Sequence, residues 1–256
     1  MTDRRVGIGT YLIGTLYGLY AWTVFGLVAL VTLLVVLVLP GADRRARVAA
    51  AASRAVFVLG GVSPDVEGLE HLPAGNAVVV ANHASYVDGI LLKGYLPHQF
   101  SFVIKGEMRN VPVAHFLLRR SGARFVERFE AGGSARDARK IVKAATTGTA
   151  LAFVPEGTVR KEPGVGRFRP GAFVAAVKGE MPIVPVAIRN TREMMPAGRN
   201  WPWPVRPRVR ILPAIDADDP SFGNHRELAE KARQQILAVL GEPDLCKVPL
   251  ENFNED

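Results

Sequence analysis

Cysteine is nearly missing from this 256-residue chain: Cys246 stands alone. A lone cysteine excludes an intrachain disulfide and a thiolate metal cluster. Histidine is scarce as well. His71, His83, His98, His115 and His225 follow no HExxH or other zinc-like spacing, so no metal is expected. There is no Walker A run, no dinucleotide-binding glycine fingerprint, no zinc-finger pattern and no Gly-x-Ser-x-Gly nucleophile elbow. Internal repeats are absent too.

Charge is missing altogether from residues 7–40. Within that stretch, residues 21–39 hold Thr23 and Thr32 and are otherwise apolar or glycine. A membrane span needs about 20 mostly apolar residues, and this segment has the length. Tyr11, Tyr17, Tyr20 and Trp22 precede its leucine- and valine-rich part, where an interfacial aromatic belt is expected. A secretory signal is disfavoured because Asp43, Arg44, Arg45 and Arg47 follow, instead of a small-residue cleavage site. Two membrane geometries stay open. One is a single span; the other is a pair of helices dipping into one leaflet, with Gly14, Gly18 and Gly26 permitting a bend. Residues 42–59 continue as a cationic helix suited to anionic headgroups or to an ordinary connection. Positive residues flank both ends of the apolar stretch, with a bias towards a cytoplasmic downstream domain. The expectation is membrane-associated helices over 1–60 and a catalytic domain over 61–256. The expected location is the cell membrane, with the catalytic domain on the cytoplasmic side.

Acidic residues are the minority, 24 against 32 basic ones, giving a formal charge of +8. Such a surplus attracts anionic partners. No nucleic-acid-binding motif accompanies it, so nucleic acid is not expected as a partner. A non-enzymatic membrane- or nucleic-acid-binding protein stands as the alternative from a different class.

Beyond residue 60, short apolar runs alternate with helical periods. Strands are read near 66–69, 78–81, 100–104, 123–126, 151–154, 183–188 and 209–212. Helices are read near 88–95, 113–120, 134–147, 173–178 and 225–240. The alternation predicts an α/β fold: a mixed, largely parallel central sheet flanked by helices, preceded by the N-terminal membrane-associated helical element. Ser134 and Asp137 read as a capping box at the start of one helix. Residues 193–207 carry Trp201 and Trp203 among prolines. They fit a loop facing the membrane or a substrate groove, and equally an ordinary packed connection.

Three predicted strands empty into reactive groups. Val78-Val79-Val80-Ala81 runs into Asn82-His83, with Asp88 five positions after the histidine. Five residues of regular helix rotate by about 500°, so His83 and Asp88 meet only if a turn precedes the helix. Ser85 and Asp88 also spell a capping box. A helix cap and an active-site pair are both open readings here. The second strand ends at Glu127-Arg128 and the third at Pro155-Glu156-Gly157-Thr158. Lys105, Arg109, Arg119, Arg120, Arg124, Arg160, Lys161, Arg167 and Arg169 crowd the intervening loops. One cleft can thus hold a histidine and a carboxylate beside a cationic wall. A histidine held by an aspartate can deprotonate a substrate hydroxyl directly. With a membrane element, the acceptor or product is expected to be a lipid.

These residues resemble the PlsC-type glycerolipid acyltransferases, the 1-acylglycerol-3-phosphate acyltransferase family. Asn82-His83-Ala84-Ser85-Tyr86-Val87-Asp88 matches the family's NHxxxxD block. Ala123-Arg124-Phe125-Val126-Glu127-Arg128 is similar to its second block, and Phe153-Val154-Pro155-Glu156-Gly157-Thr158 to its FPEGTR block, with Val159 where arginine often stands. Phe168-Arg169-Pro170-Gly171 is similar to the Phe-Lys-x-Gly that follows, and residues 183–188 to the fourth block. The resemblance runs from about residue 66 to 212. It implies that His83 is a general base oriented by Asp88, and that no acyl-enzyme forms. Arg128, with Gly157 and Thr158, would hold the acceptor phosphate; Glu156 would organise that loop, and Lys105 is a further phosphate or carrier contact. Backbone amides around residues 82–85 are one option for the oxyanion donors. The implied reaction moves a fatty acyl group to the sn-2 hydroxyl of lysophosphatidic acid. The donor is acyl-CoA or acyl carrier protein, as co-substrate rather than cofactor; no cofactor is implied. Another lysolipid acceptor, glycerol 3-phosphate, or hydrolysis by the same His–Asp pair are the alternatives.

Overall fold

The structure, a computed structural model, describes residues 8–127 and 131–247. The uncharged run forms one unbroken helix, α1 (Ile8–Val38), and Pro40 and Gly41 separate it from α2 (Ala42–Leu59). Then come β1 (Asp65–Glu67), β2 (Val78–Ala81), α3 (Asp88–Tyr95), β3 (Ser101–Lys105), α4 (Pro112–Arg120), β4 (Arg124–Val126), α5 (Ala131–Thr146) and β5 (Leu151–Phe153). The chain continues through α6 (Gly171–Gly179), β6 (Ile183–Arg189), the single turn α7 (Thr191–Met194), β7 (Arg208–Ile211) and α8 (His225–Leu240).

The seven strands form one sheet in the order β1-β7-β6-β2-β5-β3-β4. Every pairing is parallel except β6 with β7. The expected mixed, largely parallel sheet is present, and β2 lies at its centre. The two-residue period of a strand explains why β2 is apolar throughout. Val78 and Val80 pack with Ile141, Phe173, Leu228 and Ile236 of α5, α6 and α8. Ala77, Val79 and Ala81 pack on the opposite face with Phe57 of α2 and Leu91 and Leu92 of α3. Because β2, β3, β4, β5 and β6 run in one direction, their carboxyl ends share one edge of the sheet.

The helix α1 runs through Gly14, Gly18 and Gly26 without a break. Gly14 and Gly18 instead receive two indole rings: a Cβ on Gly14 would collide with Trp203, and one on Gly18 with Trp201. Trp201 Nε1 donates to the Gly14 carbonyl at 3.1 Å, and Trp22 Nε1 to that of Asn200 at 2.8 Å. Two of the tyrosines expected in an interfacial belt are pinned as well. Tyr17 and Tyr20 hydroxyls donate to the carbonyls of Gly60 and Leu59 at 3.1 and 2.6 Å. At the other end of α1, Arg120 donates to the carbonyls of Val36 and Leu37 at 2.9 and 3.1 Å. These are groups a helix terminus leaves unsatisfied. The outward face stays bare: Leu12, Leu16, Leu19, Leu27, Leu30 and Leu34 are exposed, and only 6% of the most apolar window is buried.

Candidate active site

The site forms where β2 ends. Residues 86–87 make a turn before α3 begins, which is the condition for His83 and Asp88 to meet. His83 Nδ1 lies 3.0 Å from Asp88 Oδ2. The same carboxylate oxygen accepts the backbone N–H groups of Ala84 and Ser85, each at 2.8 Å. Asp88 thus reaches back to the amides of the turn before α3 and faces the imidazole with the same atom. Val87, not Ser85, holds the N-cap position of α3, and no side chain caps it, so the capping box read from Ser85 and Asp88 does not form. Asp88 is fully buried, whereas the His83 side chain keeps 17% of its surface. An acceptor at Nδ1 places the ring proton there and leaves Nε2 as a lone-pair acceptor.

Glu156 stands behind the histidine. Its Oε1 accepts the His83 backbone N–H and its Oε2 that of Gly166, both at 2.8 Å. Burial pushes this carboxyl above its ordinary range, while the two amide hydrogen bonds and the His83 and Arg160 charges act in the opposite direction. Gly157 follows with φ 83°, a left-handed conformation that favours glycine. Both oxygens of Glu156 thus accept backbone donors, one from the His83 turn and one from the following loop. The backbone amides that were one option for the oxyanion donors are engaged as well. The N–H groups of His83, Ala84 and Ser85 all donate to carboxylates.

Sequence reading missed the work of Asn82 and Ser85. The Asn82 side chain accepts from Ile188 N at 2.7 Å and donates to Ile188 O at 3.0 Å. It extends the β2–β6 pairing by one residue and fixes where the histidine leaves the sheet. Ser85 Oγ donates to the Met195 carbonyl at 2.7 Å. The position of Asn82, first after a buried strand, was the available signal.

His83, Lys105 and Thr158 line one cavity of about 520 Å³. Lys105 and Thr158 are exposed at the carboxyl edge of the sheet. The cavity continues towards the opposite edge, where Phe102, Leu118 and Ala123 line it, and α1 closes one side with Phe25, Val28 and Ala29. Glu156 does not line it. Arg128 lies outside the described residues. Its neighbour Glu127 donates its backbone N–H to Asp137 at 3.1 Å. Asp137 is not the expected capping-box acid of α5. It is buried inside the helix and pairs with Arg109 at 2.8 Å and Lys140 at 3.0 Å. Burial pushes its carboxyl up, but the Arg109, Lys140 and Glu127 hydrogen bonds prevail and hold it at about 2. Among the described residues no cluster of His, Cys, Asp or Glu could hold a metal.

A family model described as Acyltransferase matches residues 63–189. Over 136 residues, 52% of this chain, the sequence is 30% identical to a chloroplastic 1-acyl-sn-glycerol-3-phosphate acyltransferase of Brassica napus, and the match covers 39% of that relative. It is 29% identical over 189 residues to the 1-acyl-sn-glycerol-3-phosphate acyltransferase of Saccharomyces cerevisiae, covering 71% of this chain and 61% of that one. The chain therefore spans about two fifths of the chloroplastic relative and three fifths of the yeast one. The crystal structure of the 1-acyl-sn-glycerophosphate acyltransferase PlsC from Thermotoga maritima superposes with a TM-score of 0.68, over 90% of this chain and 95% of that one, at 24% identity. At that identity the likeness is one of fold.

Proposed function

This chain belongs to the PlsC-type glycerolipid acyltransferase family, and from that premise we propose that it acylates the sn-2 hydroxyl of 1-acylglycerol 3-phosphate. The donor is the thioester of acyl-CoA or acyl carrier protein, and the product is phosphatidic acid. The observation that carries this reading is the His83–Asp88 contact of 3.0 Å on the wall of a largely apolar cavity with Lys105 and Thr158 at its rim.

His83 Nε2 accepts the proton of the acceptor hydroxyl as the oxygen attacks the thioester carbonyl. Asp88 orients the ring and balances the imidazolium that forms. The tetrahedral intermediate collapses, the thiolate leaves, and the imidazolium returns the proton to it. No covalent acyl-enzyme is needed. Lys105, Thr158 and Arg128 serve the anionic headgroup, and the Gly157 backbone shapes its loop. Glu156 acts through His83 and Gly166 rather than on phosphate. The acyl chain lies in the cavity between the sheet edge and α1.

The setting is the membrane, with α1 and α2 in contact with lipid and the catalytic domain on the cytoplasmic side. A second reading keeps the chemistry and changes the acceptor to another lysolipid. Val159 supports it: it lines the cavity where arginine often stands in the family.

Mass spectrometry of products from lysophosphatidic acid and an acyl thioester tests the assignment. Phosphatidic acid is expected, and released fatty acid alone would point to hydrolysis. His83→Ala is expected to slow transfer at least about a hundredfold with the fold retained, since general-base catalysis contributes on that order.

A further inference from the structure

The cavity holds one charged side chain the mechanism does not use. Lys93 lies on α3, and Tyr86, Gly89, Ile90 and Lys93 all line the cavity. Their spacing of three and four residues forms one stripe leading away from the His83 turn. The Lys93 ammonium sits 5.5 Å over the Phe102 ring. Phe102 and Lys105 are three strand residues apart, so Lys93 lies roughly 10 Å deeper than the cavity rim. Among the described residues no carboxylate and no hydrogen-bond acceptor meets it. Burial alone lowers its pKa to about 8.

A second polar group stands nearby. Gly94 packs on α2 so closely that a Cβ there would lie 3.3 Å from the Ser53 carbonyl carbon. This contact sets the Ser53 backbone against Gly94, the residue after Lys93, and Ser53 lines the same cavity. Of the other cavity hydroxyls, those of Thr32 and Ser121 are occupied by carbonyls of their own segments, Val28 and Leu118, and those of Tyr86 and Thr158 belong to exposed residues. Lys93 and Ser53 therefore offer a free donor and a donor–acceptor in a wall that is otherwise mostly apolar.

From this placement we infer that Lys93 and Ser53 form a polar subsite for an oxygen substituent on the acyl chain, so that the cavity selects hydroxylated acyl groups over plain ones of equal length. The inference rests on the reading of this cavity as the acyl site. A methylene at this depth leaves the ammonium facing only the Phe102 ring. A hydroxyl there accepts from Lys93 Nζ and donates to Ser53 Oγ. A hydrogen bond to a charged group favours the paired ligand by roughly ten- to a hundredfold, and the partial exposure of Lys93 places this site at the lower end.

The test has two arms. In the first, lysophosphatidic acid is acylated from mixtures of plain and hydroxylated acyl-CoA of one length, with the hydroxyl moved along the chain. One hydroxyl position is expected to be favoured about tenfold in kcat/KM. Lys93→Met is expected to bring that ratio near one, Lys93→Arg to keep a preference, and Ser53→Ala to weaken it. Equal use of all chains by the native protein, or an unchanged ratio in Lys93→Met, overturns the inference. The second arm needs no turnover: hydroxystearate and stearate displace a fluorescent fatty acid from the folded native protein and from Lys93→Met. Selective displacement by hydroxystearate in the native protein only, without transfer from any thioester, keeps the subsite and sinks the acyltransferase reading. Transfer without selectivity in either arm does the reverse.

Discussion

At the scale of single residues, the site depends on two carboxylates with different duties. Asp88 Oδ2 takes three donors: one imidazole nitrogen and two amides. Replacing it by Asn leaves one acceptor oxygen for the amides but removes the negative charge opposite the imidazolium. Asp88→Asn is expected to lower kcat by about a hundredfold or more while circular dichroism stays native. On the proposed mechanism His83 and Asp88 act as one unit, so the double variant His83→Ala/Asp88→Asn is expected to lose little more than His83→Ala. Additive losses would show that Asp88 acts elsewhere. Glu156 gives a second prediction. Both its oxygens accept amide protons, and Gln has a single acceptor. In Glu156→Gln an NH2 group faces an N–H, which costs about 1–3 kcal/mol and shifts His83 at its backbone. Urea unfolding is expected to show that loss together with a fall in kcat larger than the rise in KM. A change confined to KM for the acceptor would instead place Glu156 on the acceptor phosphate.

At the scale of elements, Asp137 shows where local reading fails. Ser134-x-x-Asp137 has the spacing of a capping box, but α5 begins at Ala131, so Asp137 lies within it. Its carboxylate joins α5 to the end of β4 and to the loop after β3 through Glu127 N and Arg109. The folded pKa of about 2 is below the ordinary 3.8, so the stabilisation is present above about pH 4 and is lost as pH falls towards 2. Thermal unfolding of Asp137→Asn between pH 6 and pH 2 is therefore expected to fall less steeply than that of the native chain. Parallel curves would mean the carboxylate carries no linkage. β2, β5 and β6 were legible because buried parallel strands are continuous apolar runs, and α8 was legible to its last residue because Asn224 caps it and Gly241 stops it. The NHxxxxD block announced the His–Asp pair, since a turn before α3 is a short-range matter. The cavity was not legible. It is bounded by α1, α2, α3, α4 and the sheet edge, which meet only through long-range packing. The roles of Trp201 and Trp203 were equally hidden, because their partners Gly14 and Gly18 are more than 180 residues away.

At the scale of the whole molecule, α1 is tied at both ends to the part of the chain that holds the sheet. Trp203 meets Gly14, and Arg120 meets Leu37, 23 residues further on. That separation is about 35 Å of helix, comparable to the roughly 30 Å thickness of a bilayer's hydrocarbon core. A helix held by the domain over such a length has no free stretch left to cross the membrane away from it. Phe57 of α2 shares its apolar cluster with Leu91 and Leu92 of α3. These contacts favour the leaflet arrangement over the single span, with the bare leucine face of α1 turned to lipid and the cavity opening beside it. Sealed vesicles with the catalytic domain outward decide between them. Single cysteines at Thr2 and at Gly41, placed in a Cys246→Ser background, are expected to react with an impermeant maleimide from the same outer side. Labelling of Gly41→Cys alone until the vesicles are lysed would establish a span. Gly18→Val adds a check on the docking itself, since the new side chain displaces Trp201. It is expected to free α1 from the loop and to raise tryptic cleavage near Arg199, while the His83–Asp88 turn, built on β2 and α3, keeps its fold.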